Sequence, residues 1–203
     1  PNFEPSTRSH MKTNMISNVR NTFLLVLVLA FAANAQTYKQ TGDSYLNVAG
    51  KSTLHDWTMT SKEPVLQVAF EMGSDGLPAQ VKTLTLTVPA QSLKSQHSAM
   101  DKNAYSSLKT DKFKNITFVL TSAKVTKGSI ECSGNLTIAG TTKPVTLTAT
   151  VTTKDGGILH CTGSKTFKMS EYQVEPPTFM FGTVKTGDEI TVTFNVDLSL
   201  VKA

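Results

Sequence analysis

Apolar residues alternate with threonine over long stretches of this chain, and this alternation is the feature that most constrains its fold. The clearest stretches are Val145–Thr152 (VTLTATVT) and Ile190–Leu200 (ITVTFNVDLSL), followed by Leu84–Val88 and Ile130–Ile138. Successive side chains of a β-strand point to opposite faces, so a period of two predicts strands with one buried face and one wet face. The sequence therefore predicts a protein built mainly from strands.

Weaker strand candidates fill the intervals between these stretches, at residues 45–60, 65–72, 116–124, 159–169 and 178–185. Glycine-containing turn signals separate them, as expected for hairpins. Roughly eight or nine strands at this spacing predict an antiparallel barrel or sandwich.

One segment breaks the strand pattern. In Met100–Lys109 the apolar residues Met100, Ala104 and Leu108 recur every four positions. This period predicts a short helix that lays one apolar stripe on the sheet. Met100 and Leu108 are accordingly predicted to contact a ligand at the mouth of a barrel.

The first 35 residues are predicted to lie outside the fold. A positively charged segment after Met11 precedes an apolar run at 23–32 and an A-x-A sequence at Ala33–Ala35. This is the pattern of a secretory signal peptide, so residues 36–203 are expected to form a single mature domain that is periplasmic or secreted. About ten apolar residues are too few for a membrane-spanning helix, and no integral membrane span is expected.

Composition bears on the class of partner. The predicted mature part carries 17 lysines and no arginine against 14 acidic residues. Arginine is the preferred side chain for bidentate contacts to phosphates and base edges, so its absence weighs against nucleic-acid binding. No cofactor-binding motif is recognised, and no cofactor is expected.

The two cysteines, Cys132 and Cys161, fall on inward positions of predicted strands that are separated by a third strand. Two strand spacings are about 9.6 Å, which exceeds the roughly 7 Å Cα separation that a disulfide can bridge. The cysteines are predicted to be buried free thiols.

The stretch STLHDW places His55 and Asp56 beside Trp57, the single tryptophan of the chain. On a continuous strand, His55 and Trp57 share one face and Asp56 points to the other, so the neighbours cannot act as a catalytic dyad. The alternation of Leu46, Val48 and Leu54 predicts that His55 and Trp57 face away from the lumen, unless a bulge reverses them. Because the side chains of His55 and Asp56 point to opposite faces, no catalytic residue is predicted. The histidines of the mature part lack metal-ligand spacing, so no metal site is predicted.

If eight strands close into a barrel, the inward face either fills with side chains or encloses one small ligand. Small inward residues such as Gly134, Ala149 and Gly163 are expected to leave space in the lumen, although a fully packed interior stays open as an alternative. The predicted lumen lining is the set of alternating apolar residues Leu84, Leu86, Val88, Phe118, Leu120, Leu136, Ile138, Leu147, Leu159, Phe167, Val192 and Phe194.

The segment Gly134–Leu147 (GNLTIAGTTKPVTL) resembles the characteristic hairpin of the YceI-like family. Two further segments are similar to that family, Lys112–Phe118, with Asn115 where proline is common, and Gly182–Val192. The resemblance extends over residues 40–200. It implies a lipocalin-like, eight-stranded antiparallel barrel with a short helix, located in the periplasm.

The resemblance also implies that the lumen binds a polyisoprenoid or another long apolar chain, such as a fatty-acyl chain, without a known reaction. Two alternatives stay open. One is an enzyme that acts on a lipid or amide at the barrel mouth with His55 or His160 as the base. The other is a structural or stress-related module with a packed interior. A homodimer is left open, because exposed threonine-rich strands could pair.

Overall fold

The computed structural model describes residues 35–202, except for the side chain of Met180. The predicted signal peptide lies outside the described residues. Between Ala35 and Lys202 no helix is long and apolar enough to cross a bilayer.

The described chain consists mainly of strands and contains one short α-helix, α1 (Ser98–Ser107). The strands are β1 (Gln36–Ser52), β2 (Asp56–Ser61), β3 (Val65–Met72), β4 (Pro78–Pro89), β5 (Asn115–Thr126), β6 (Ser129–Ile138), β7 (Thr141–Lys154), β8 (Ile158–Lys168), β9 (Thr178–Phe179) and β10 (Val184–Leu200). The stretches with the strongest alternation all lie within strands, as predicted.

The sheet closes into an eight-stranded antiparallel barrel, which confirms the predicted fold class. Strands β3 to β8 pair in sequence order, β8 pairs with β10, and β10 pairs with β1 from Tyr38↔Leu200 to Ser52↔Thr186. On its other edge, β1 pairs with β3 through Gln36–Lys39 and with β2 through Leu46–Lys51. The segments β2 and β3 therefore complete the ring together, and β9 adds a short ribbon to the start of β10.

Two predicted strand boundaries were wrong. The expected strand 45–60 is a hairpin, because β1 ends at Ser52 and the chain returns as β2 from Asp56. The candidate 178–185 is likewise interrupted, since β9 stops at Phe179 and β10 begins only at Val184. The first half of β1, Gln36–Ser44, was not predicted because its sequence is polar and lacks alternation.

One end of the barrel is packed solid. Phe118 and Leu159 are each only 1% exposed at its centre. Tyr38 and Phe70 pack there with ring centroids 5.5 Å apart. The remaining buried residues of this packed end include Val68, Val81, Ile130, Cys132, Val151, Cys161, Val196 and Leu198.

Two of the small inward residues, Gly134 and Gly163, do not leave the space that the sequence suggested. A Cβ atom on Gly134 would lie 2.5 Å from the Phe118 ring, and one on Gly163 would lie 2.3 Å from the Phe194 ring. Each glycine accommodates an aromatic ring from a neighbouring strand, so these positions belong to tight packing.

The two cysteines are buried and free, with β7 between their strands, as predicted. Burial raises the pKa of the Cys132 thiol to about 11 and that of Cys161 to about 12. The nearby Asp197 carboxylate adds to the increase at Cys161. Both groups are therefore protonated, unreactive thiols at neutral pH.

Candidate functional site

An apolar cavity of 460 Å³ occupies the other end of the barrel. Its walls come from the last residues of β1, β6 and β8, the first residues of β5 and β10, the strand β2 and the helix α1. Side chains that reach it include Val48, Trp57, Met59, Leu93, Ala104, Ile116, Phe167, Met169, Tyr172, Val174, Phe179, Val184 and Ile190. The volume is within the range of about 300–1,000 Å³ that is typical of small-molecule sites.

The helix α1 covers this end of the barrel with the predicted apolar stripe. Met100, Ala104 and Leu108 all line the cavity. The hydroxyl group of Tyr105 donates to the carbonyl oxygens of Gln91 (2.9 Å) and Leu93 (2.8 Å) and so fixes the helix to the preceding turn. The helix ends at Ser107 with Leu108 as its C-cap, and the next residue, Lys109, adopts a left-handed conformation with φ 53°.

The turn between β1 and β2 brings His55 to the cavity. The Ser52 hydroxyl group accepts hydrogen bonds from the backbone N–H groups of Leu54 (3.2 Å) and His55 (3.1 Å) and donates to the His55 carbonyl oxygen (2.8 Å). This compact turn ends the strand alternation. As a result, Leu54, His55 and Trp57 all line the cavity.

The expectation that His55 and Trp57 face away from the lumen was therefore wrong. It assumed one extended strand through residues 45–60. The turn instead separates β1 from β2, so the inward and outward positions of β2 do not continue those of β1. Trp57 lies opposite Gly50 of β1, and a Cβ atom on Gly50 would approach its indole ring to 2.3 Å. The indole N–H group donates to the Lys51 carbonyl oxygen at 3.2 Å, which holds the ring across the strand.

Two loops meet at the rim of the cavity. The backbone N–H group of Thr53 donates to the Lys185 carbonyl oxygen (3.0 Å), and the Lys185 N–H group donates to the Thr53 hydroxyl group (3.1 Å). These bonds join the β1–β2 turn to the β9–β10 ribbon. Leu54 and Phe181, which stand at the tips of the two loops, are exposed.

The predicted lining residues divide between the two ends of the barrel. Met100, Leu108, Ile138 and Phe167 line the cavity. Phe118, Leu136 and Leu159 are buried in the core outside the lining, and Leu84, Leu86, Leu120, Leu147 and Phe194 are partly buried against that core. Val88 is buried in β4, and Val192 is half-buried opposite Val48.

The sequence reasoning did not identify several cavity residues, among them Met59, Leu93, Met169, Tyr172 and Val174. Met59 was recoverable, because Trp57 and Met59 alternate along β2. Met169 and Tyr172 lie in a single 3₁₀ turn, Met169–Tyr172, after β8, where no strand or helix period exists. Tyr172 packs edge-on against Phe167 with ring centroids 5.3 Å apart.

His160 lies outside the cavity lining. It pairs with Thr152 and Asp197 near the start of β8, seven residues before Phe167, which corresponds to roughly 23 Å along the strand. Its Nδ1 atom is 2.6 Å from Asp197, whose carboxylate also binds Lys154 at 2.9 Å. A role as the base at the mouth is therefore not supported for His160. Among the described residues no three His, Cys, Asp or Glu side chains converge as metal ligands.

Comparison with known proteins agrees with the barrel fold. The profile of the YceI-like domain matches residues 43–198. Protein YceI of Salmonella newport (strain SL254) is 29% identical over 142 residues, which cover 68% of this chain and 72% of that protein.

Solved structures share the fold at low sequence identity. Burkholderia cenocepacia BcnA superimposes with a TM-score of 0.65 at 19% identity, over 77% of this chain and 96% of that one. A polyisoprenoid binding domain from Saccharophagus degradans, implicated in plant cell wall breakdown, gives a TM-score of 0.60 at 12% identity, over 82% of this chain and 99% of that one. The chain belongs to the YceI-like family.

Proposed function

We propose that this protein is a periplasmic or secreted carrier that encloses a long apolar chain, either a polyisoprenoid or a fatty-acyl chain, in the cavity beneath α1. The observation that carries the proposal is the 460 Å³ cavity with its predominantly apolar lining. Support also comes from the family and from the polyisoprenoid binding domain that shares its fold.

The energetics of an apolar guest are favourable. Each buried CH₂ group contributes about 0.8 kcal/mol, so a chain of about 12 carbons gains on the order of 10 kcal/mol before the entropic cost of binding. This gain requires neither a reaction nor an ion pair. We accordingly propose a binding protein and not an enzyme.

Cavity-filling substitutions on α1 test the proposal. Ala104 lines the cavity, whereas Ser106 on the same helix is exposed and lies outside the lining. We expect Ala104→Trp to lower the affinity for a fluorescent fatty-acyl or isoprenoid probe at least about tenfold, because the indole ring occupies the space of the guest. Ser106→Trp is the matched control and should bind normally.

Native mass spectrometry and lipid extraction of the purified protein provide the direct measurement. We expect a long-chain lipid to be released from the wild-type protein and to be depleted in Ala104→Trp. A wild-type protein that carries no lipid and takes up neither probe would contradict the proposal.

A further inference from the structure

A second, more open space of 340 Å³ with both polar and apolar walls adjoins the apolar cavity, and we call it the polar chamber. The two spaces share the side chains of His55, Trp57, His97 and Met100. Asp56, Thr58 and Gln96 complete the walls of the polar chamber. A guest whose chain fills the apolar cavity can therefore extend its polar end past the two histidines into the chamber.

The hydrogen-bonding groups of this chamber include donors and acceptors, because the side chains of Thr58 and Gln96 offer both. Nδ1 of His55 lies 2.8 Å from the Asp56 carbonyl oxygen. A carbonyl oxygen only accepts, so Nδ1 is the donor in this contact. The Asp56 carboxylate accepts only. The indole N–H group of Trp57 is already bonded to the Lys51 carbonyl oxygen.

The charge of the chamber opposes an anionic head group. Asp56 contributes a negative charge, and neither lysine nor arginine is among the described residues that line the chamber. Lys94 and Lys112, on either side of α1, lie over the rings of Tyr105 (5.0 Å) and Phe113 (5.2 Å). A phosphate group would therefore enter the chamber beside the Asp56 carboxylate, with neither lysine nor arginine in the described lining.

The start of α1 is the one feature nearby that favours an anion, because helix N-termini carry a partial positive charge. Here the first turn contains its own carboxylate, Asp101, which is buried. Its Oδ1 atom accepts hydrogen bonds from the N–H and hydroxyl groups of Ser95, both at 2.7 Å. Asp101 thus offsets the partial charge of the helix end.

We propose that the chamber binds an uncharged polar head group, such as a hydroxyl group or a primary amide, and discriminates against a phosphate on the same chain. The inference rests on the proposed carrier function. It identifies His55 and Asp56 as residues that determine head-group specificity.

Two probes with the same hydrocarbon chain test this inference, farnesol and farnesyl monophosphate. Each is titrated against the full protein by displacement of a fluorescent fatty-acyl probe. We expect farnesol to bind about tenfold more tightly, the equivalent of one net hydrogen bond. Asp56→Asn should reduce that ratio by about threefold, because it removes an exposed negative charge. Asp43→Asn, an exposed carboxylate on β1 outside both spaces, is the matched control.

Equal affinities, a preference for the phosphate, or an unchanged ratio in Asp56→Asn would overturn the head-group inference while leaving the carrier function intact. A bound fatty-acyl probe that neither farnesol nor farnesyl monophosphate displaces would also overturn the head-group inference alone. Failure of the fatty-acyl probe and of both farnesyl compounds to bind at all would contradict the carrier function and, with it, the inference.

Discussion

At the scale of single residues, the contact between Gly50 and Trp57 shapes the cavity wall. We predict that Gly50→Ala destabilises the protein by about 1–3 kcal/mol, because the new methyl group would overlap the indole ring and displace it. Trp57 is the single tryptophan, so its emission maximum should shift along with the urea midpoint. Thr148→Ala, an exposed position on β7 outside both spaces, should change neither.

The cysteines give a second prediction at this scale. We expect iodoacetamide at neutral pH to leave both Cys132 and Cys161 unmodified in the folded protein, because burial raises the pKa of both thiols. In urea without reductant the intact mass should increase by two adducts. A protein that resists labelling in urea would contain a disulfide, and rapid labelling of the folded protein would contradict the packed interior.

At the scale of elements, Asp197 connects three neighbouring strands, since its carboxylate binds Lys154 of β7 and His160 of β8. Burial opposes ionisation of this carboxyl group, but the hydrogen bonds from Lys154 and His160 outweigh that effect and lower the pKa of Asp197. A lowered pKa stabilises the folded state above the unfolded pKa of about 3.9, and this contribution is lost as the pH falls through the folded value.

We therefore predict that Asp197→Asn is less stable than the wild-type protein above about pH 5, and that the difference shrinks below about pH 4. Urea unfolding at pH 7, 5 and 3 measures it. Asp155→Asn, on an exposed turn, is the control. A difference in stability that stays constant across this range would contradict the assigned role of the Asp197 carboxylate.

The elements also show how far sequence reasoning extends. Alternation predicted β7 and the apolar stripe of α1, because both follow from local periodicity and burial. It missed the β1–β2 turn, because the hydrogen bonds of Ser52 make a turn there without glycine or proline. The sequence analysis also expected Gly163 to leave space in the lumen, because only the strand register shows that Phe194 lies opposite it.

At the scale of the whole molecule, the barrel has a packed end and an end that holds the cavity. That division was not visible in the sequence, because inward residues alternate in the same way at both ends. Aromatic rings cover glycines on the cavity wall (Gly50) as well as in the packed interior (Gly163), so the division arises from the helix and loops that replace strands at the cavity end. The candidate site therefore depends on where irregular segments interrupt the strand period.

Two phenylalanines provide a matched test of this division. Phe118 is buried at the packed end, whereas Phe167 is half-buried on the cavity wall. We predict that Phe118→Ala lowers the free energy of unfolding by about 3–5 kcal/mol, because it opens a void among close-packed side chains. Phe167→Ala should cost at least about 1 kcal/mol less, because the ring already borders an open space.

The same pair should separate binding from folding. We expect Phe167→Ala to change the affinity for a fatty-acyl probe while the protein remains folded at room temperature. We expect Phe118→Ala, measured in the absence of denaturant, to retain affinity in whatever fraction stays folded. Urea titrations and probe binding on both variants measure this. If the two substitutions cost the same stability, or if Phe118→Ala alone alters the affinity of the folded fraction, then stability and binding are not separated between the two ends.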